Sequence, residues 1–231
     1  YETDGLIFTP MYLPVGGDTA KSAPKYRKAT WLRSFKWKPP EHNTIDFLVS
    51  VNRGDNGVEE IGNIFQPGTD TTTAAQLTQY KTLTLRVGYD ERKHGYANPC
   101  QRLLEGVGTG RTAPEKEQYR PMRFYPSNPA DPEAGICHVP LTMGRAATKM
   151  MLTESGEAIE DNMIVEFRYD PERDVRWRWV PVRVRHDKTA ELRAGGRNFG
   201  NAYRVADSNW HSIHNPVTAH MLSTGEGIPD E

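Results

Sequence analysis

Residues 81–88 read Lys-Thr-Leu-Thr-Leu-Arg-Val-Gly. Leu83, Leu85 and Val87 point one way, and Thr82, Thr84 and Arg86 the other, which is the period of a strand with one buried face. The pattern recurs on both sides. Within 44–51, Ile45, Phe47, Val49 and Val51 share a parity. Residues 163–169 and 177–185 alternate again, and further strands are predicted over 1–9 and 31–38. The Gly- and Pro-bearing stretch 15–24 reads as a loop, and 53–73, rich in Gly, Asn, Asp and Thr, as a turn or domain junction. Short helices are predicted after Asn98-Pro99, over 143–152, and from Asn215-Pro216 to near Gly225. Short strands at irregular spacing with few helices predict an α+β, mostly-β fold, with a small barrel after residue 51.

Composition bounds the classes of function. The chain has 231 residues, 36% hydrophobic and 26% charged, with a mean hydropathy of −0.71. That mix suits a globular protein rather than a disordered one. No apolar run approaches the roughly 18 residues of a membrane span, and no signal-peptide pattern opens the chain. Two cysteines are too few for a disulfide scaffold and predict a reducing compartment. The chain starts on Tyr1 within a strand pattern, so it is expected to be a piece of a longer protein.

The formal net charge of −1 hides two basic islands. Residues 21–38 hold seven Lys/Arg and no Asp/Glu, and residues 168–204 hold ten Lys/Arg against five Asp/Glu. Islands of this kind suggest a localised site for a nucleotide or an RNA backbone, or two solvated faces.

Three segments carry chemistry. In Phe35-Lys36-Trp37-Lys38-Pro39, a strand puts Lys36 and Lys38 on one face and Trp37 on the other. An anion between the two ammonium groups would relieve their repulsion, although lysines also protect exposed strand edges. In Arg183-Val184-Arg185-His186-Asp187-Lys188, a continuing strand puts Arg183, Arg185 and Asp187 on one side, with Val180, Val182 and Val184 facing the core. Arginine forks suit phosphates. A self-neutralising surface network is the alternative. Asp4-Gly5 places an acid before a strand, where it could hold a divalent cation or simply start a turn. By contrast, Gly106-Val107-Gly108-Thr109-Gly110 lacks the strand and Lys-Ser/Thr ending of a phosphate loop. His211 and His214 have no third ligand nearby, Cys137-His138 has no nucleophile context, and Arg53-Gly54-Asp55 reads as a turn.

Taken in order, the three segments resemble late motifs of the covalent nucleotidyltransferases, specifically the messenger-RNA capping guanylyltransferases. Asp4-Gly5-Leu6-Ile7-Phe8-Thr9-Pro10 resembles the fourth motif. Phe35-Lys36-Trp37-Lys38-Pro39-Pro40, running on into Asn43-Thr44-Ile45-Asp46-Phe47, is similar to the fifth. Trp179 to Lys188 resembles the Arg-x-Asp-Lys motif that closes the family's OB domain. The wording around Trp37-Lys38-Pro39-Pro40-Glu41, and Trp210-His211-Ser212-Ile213-His214-Asn215-Pro216, resembles the enzymes of large cytoplasmic DNA viruses. Residues 52–160 match loosely.

The resemblance implies the end of a nucleotidyltransferase (ligase-like) domain over 1–51, an OB-fold lid with an insertion over 52–195, and over 196–231 a linker toward a further domain, in viral relatives usually a cap methyltransferase. It implies transfer of GMP from GTP through a lysyl-GMP intermediate to the 5′-diphosphate end of RNA, with Mg or Mn. Lys36 and Lys38 would grip the α-phosphate and Asp46 would brace them. Asp4 would sit by the metal. Arg183, Arg185, Asp187 and Lys188 would meet the phosphates on lid closure. The localisation implied is the host cytoplasm or the virion. One departure matters: the family nucleophile is Lys-x-Asp-Gly, whereas Glu2-Thr3-Asp4-Gly5 has Glu at the lysine position. The nucleophile is therefore expected upstream of Tyr1, and these residues alone are expected to be inactive. An ATP-dependent nucleic-acid ligase and a non-catalytic RNA-binding OB module are the alternatives.

Overall fold

The computed structural model describes residues 5–17, 31, 33–65, 77–94, 119–143 and 148–225. The chain divides into two compact units, one of residues 1–43 with 215–231 and one of residues 44–214. The expected division at residue 51 thus moves to 43/44. The strand that starts at Thr44 is hydrogen-bonded on both edges inside the larger unit, so it cannot end another domain.

The larger unit is mostly β. Its strands are β3 (Thr44–Val51), β4 (Ile61–Phe65), β5 (Leu77–Asp90), β6 (Tyr119–Arg123), β7 (Ile136–Met143), β8 (Lys149–Leu152), β9 (Ala158–Ile159), β10 (Ile164–Tyr169) and β11 (Trp179–Val184). They pair in the order β11-β10-β3-β5-β7-β8-β9, with β4 and β6 added to β5. The free edge of β11 meets the turn after β8, where Glu154 N donates to Pro181 O (2.9 Å) and Ser155 N to Val182 O (3.1 Å). The sheet therefore nearly closes into a barrel. Its length and curl come from β5, whose 14 residues serve β4 and β7 at one end and β6 at the other.

The alternating residues fill the interior as their parity requires. Ile45, Phe47, Val49, Val51, Leu83, Leu85 and Val87 are all in the core. β11 departs from its expected pattern. A register shift opposite Glu166/Phe167 breaks the alternation, so Trp179 and Val184 are core residues while Val182 is only half-buried.

Three segments correct the sequence reading. The described part of 143–152 is strand, not helix. Met143 ends β7 and pairs with Lys149 at the start of β8, with Met151 buried, a strand period rather than a helical one. Residues 196–214 are not a linker. Helix α3 (Tyr203–His214) plugs the barrel with Ala206 and Trp210, both fully buried. Trp210 lies 4.9 Å from Tyr169, 5.9 Å from Trp179 and 6.1 Å from Phe124 between ring centroids, and its Nε1 donates to Pro129 O. Third, the alternation over 177–185 stops at Val184, and α2 (His186–Arg193) begins at once. A one-turn helix, α1 (Glu91–His94), follows β5. The helix expected after Asn98 and the Gly106–Gly110 loop lie outside the described residues.

In the smaller unit, β1 (Leu6–Phe8) pairs antiparallel with β2 (Phe35–Trp37), and a 3-10 turn follows at Pro40–His42. Gly5, at φ 134°, is needed here, because a Cβ would strike the Trp37 carbonyl. Helix α4 (Ala219–Thr224) starts at Thr218, whose side chain accepts from Met221 N, not at Asn215-Pro216. It ends as expected at Gly225, which adopts φ 72°. The Trp37 indole donates to Val217 O (2.6 Å). No helix among the described residues is long and apolar enough to cross a membrane.

Candidate functional site

Asp46 sits on β3 between the core residues Ile45 and Phe47, so its side chain points out of the barrel. It is nonetheless buried, with only 7% of the side chain exposed. Its Oδ2 accepts from Arg185 Nη1 and from Lys188 Nζ, both at 2.6 Å. Arg185 stands at the junction of β11 and α2, and Lys188 lies three residues on, in the first turn of the helix. Asp187 approaches the other side of the Arg185 fork, with Nε–Oδ1 at 3.3 Å and Nη2–Oδ2 at 3.2 Å. One strand over, Glu166 accepts from Thr44 Oγ1 (2.7 Å) and Arg183 Nε (2.6 Å). The expected parity of Arg183, Arg185 and Asp187 does not hold, since the strand has ended. It is the strand-to-helix turn that gathers them.

The backbone fixes this arrangement from below. Asp46 N donates to Asn201 Oδ1 (2.7 Å) and Asn201 N to Asp46 O (2.8 Å). Gly200 makes that approach possible, being at φ 80° where a Cβ would meet the Asp46 carbonyl. From above, Thr189 on α2 is buried and accepts from Ile164 N (3.0 Å), which seats the helix on β10.

The charges balance: Arg183, Arg185 and Lys188 face Asp46, Glu166 and Asp187. Burial opposes the charged form of Arg185, but its bond to Asp187 and the Asp46 and Asp187 charges outweigh it and raise its pKa. For Glu166 burial pushes the pKa up, and the bonds from Thr44 and Arg183 more than reverse this. Asp187 is lowered, chiefly by its bond with Arg185. The self-neutralising network is thus the state observed. Within its own unit Asp46 has Arg185 and Lys188 as partners.

Lys36 and Lys38, both exposed, belong to the smaller unit, Lys36 opposite Ile7 in β2. Asp4 lies outside the described residues. Among the described residues no group of three His, Cys, Asp or Glu could hold a metal. His211 and His214 both fall on α3, and His214 Nδ1 bonds Trp210 O (3.0 Å). Cys137 is a buried thiol whose Sγ reaches Trp179 O (3.2 Å), and burial pushes its pKa up. Sequence reasoning missed Glu166 and Thr44. Their only signal was outward parity, Thr44 on Asp46's own strand and Glu166 opposite it on β10.

No protein-family model matches the chain. A protein named "Probable mRNA-capping enzyme" from Acanthamoeba polyphaga mimivirus is 28% identical over an alignment of 230 residues that covers 97% of this chain. The chain is similar to a region of a viral mRNA-capping enzyme. That likeness bears out the resemblance drawn from the motifs, and it extends across residues 52–160, where they match loosely. The chain spans 16% of the mimivirus protein.

Proposed function

We propose that these residues are the late part of an mRNA guanylyltransferase, which passes GMP from GTP through a lysyl-GMP intermediate to the 5′-diphosphate end of RNA. The observation that carries this reading is the joining of Arg185, Asp187 and Lys188 to Asp46 on one outward face of a nearly closed, OB-like barrel. The residues come from segments resembling the fifth and last capping motifs, and they meet in one cluster.

In this reading Asp46 and Asp187 hold the two cations extended and pointing outward. A triphosphate carries more negative charge than the two carboxylates and competes for Arg185 and Lys188. The pyrophosphate leaving group is then stabilised as its charge develops. Lys36 and Lys38 take the α-phosphate. The lysine nucleophile lies outside these 231 residues, which contain no Lys-x-Asp-Gly. A divalent cation, Mg or Mn, would enter with the GTP. Asp4, expected beside it, lies outside the described residues.

The test uses a longer chain that includes the Lys-x-Asp-Gly segment. It should form a covalent, labelled adduct with radiolabelled GTP and not with ATP. Arg185→Ala or Lys188→Ala should lower the adduct about a hundredfold. Labelling by ATP instead would favour a ligase. Normal labelling of both variants would refute the phosphate role.

A further inference from the structure

The Asp46 cluster is charge-balanced, but a second pair of arginines on the same outward face of the sheet has no carboxylate partner among the described residues. Arg86 on β5 lies directly opposite Arg123 on β6, and opposite Leu48 of β3 on its other edge. Leu48 shares its parity with Asp46, two residues away on the same strand. Both arginines point outward, because their neighbours Leu85, Val87, Met122 and Phe124 point in and are buried.

Like charges directly opposite across a strand pair are destabilising. Elsewhere in the barrel, Arg53, Arg120, Arg168, Arg173, Arg176, Arg183, Arg185 and Arg193 each have a carboxylate within ion-pair distance, while Arg178, Arg197 and Arg204 donate to backbone carbonyls and leave no buried nitrogen unpaired. Arg123 instead spends Nη2 on the Pro132 carbonyl (2.7 Å) and rests its guanidinium over the Tyr125 ring at 5.0 Å. Among the described residues, Arg86 Nε and Arg123 Nε are the two buried side-chain nitrogens or oxygens without a hydrogen-bond partner. The fold makes room for the second of these: a Cβ on Gly135 would lie 2.9 Å from Arg123 Nε. A buried orphan donor costs about 1–3 kcal/mol, more when charged. Two of them, on facing arginines, mark a place completed by an anion. A planar guanidinium fork fits the oxygens of a phosphate.

We infer that Arg86 and Arg123 form a phosphate-binding subsite, and that the phosphate is a backbone phosphate of the RNA strand. The anion subsite stands on the two orphaned guanidinium nitrogens. The choice of RNA rests on the capping reading above. One strand spacing and one two-residue step separate Arg86 from Asp46, roughly 5 Å and 7 Å, and Arg123 lies one strand further. An RNA strand could thus touch the barrel here while its 5′ end is held elsewhere.

The experiment measures binding of a fluorescent 5′-diphosphate RNA oligonucleotide to the 231-residue chain across a salt series, in wild type and in Arg86→Gln/Arg123→Gln. The double variant should bind roughly tenfold more weakly. Its salt slope should be shallower by about 0.7 for each phosphate that is no longer neutralised. Inorganic phosphate, at constant ionic strength, should raise the melting temperature of the wild type and not of the double variant. An unchanged affinity and slope in a folded double variant would overturn the subsite. If the double variant does not fold, Arg86→Lys decides. It keeps the charge but not the fork, so the phosphate-induced rise should shrink, and an undiminished rise overturns the subsite. A loss of GTP binding with RNA binding intact would overturn the assignment to RNA. Failure of lysyl-GMP formation in the longer chain, with RNA binding still dependent on both arginines, would sink the capping reading and leave the subsite standing.

Discussion

The two units use their aromatic residues in opposite ways. The barrel gathers Phe47, Phe124, Phe167, Trp179 and Trp210 into one fully enclosed cluster. In the smaller unit the described strands show their apolar side chains to water, with Ile7 65% and Phe35 67% exposed. A packed interior of rings makes the barrel a cooperative body, whereas two paired strands are marginal without further packing. Stability should therefore be set by residues 44–214.

The sharpest way to break this contrast is Trp210→Ala. It removes the plug of α3 and should cost the barrel about 3–5 kcal/mol. A denaturation midpoint close to wild type would mean that the helix is not part of the core. Next comes Asp46→Ala, which strands Arg185 and Lys188 without their shared carboxylate. A loss of about 3 kcal/mol is expected, at the low end for a broken buried pair because both cations keep some water. The same variant should move α2, read as faster amide exchange at Thr189.

A smaller effect comes from pH. Burial, aided by Arg176 and opposed by Glu133, holds the His138 pKa below 6.5. His94 is lowered as well, first by burial and then by Arg204. The folded state binds fewer protons than the unfolded one, so this stability is complete above about pH 6.5 and is lost as pH falls through the depressed values. Urea midpoints should therefore drop between pH 7.5 and 5.5, and His138→Gln should flatten that slope. An equal slope in wild type and variant would show that the ring is not held neutral. The smallest change is Trp37→Phe, which removes the bond to Val217 O. It should cost the smaller unit about 1 kcal/mol or less. Amide exchange should quicken at Met221, whereas an altered barrel midpoint would contradict the division into units.

Much of the barrel was legible in the sequence, because strand parity is a local property. Ile45 to Val51 and Leu83 to Val87 needed only a period of two. The site was half legible. The composition of Arg183 to Lys188 was visible, but its geometry rests on a strand ending at Val184 and a helix beginning at His186, where a single residue reverses the parity argument. Helix α3 left a clear trace in Tyr203, Ala206, Trp210 and Ile213, spaced by three and four residues. That trace was hidden by Asn215-Pro216, a start signal for a helix that in fact begins at Thr218. The partner of Asp46 was not legible, since nothing local says which cation 139 residues away will reach it. The pairing of Arg86 with Arg123 was hidden for the same reason, across intervening residues of loose likeness.

That separation of 139 residues between Asp46 and Arg185 also has a consequence in time. At roughly 5–20 residues per second of synthesis, Asp46 emerges about 7–28 s before its partner exists. Its carboxylate must wait, solvated, while β4 to β10 are made. The strand it belongs to cannot bury it until the last strand and the helix after it arrive. The site is therefore assembled only late in synthesis, and any chain stopped short of Arg185 lacks it entirely.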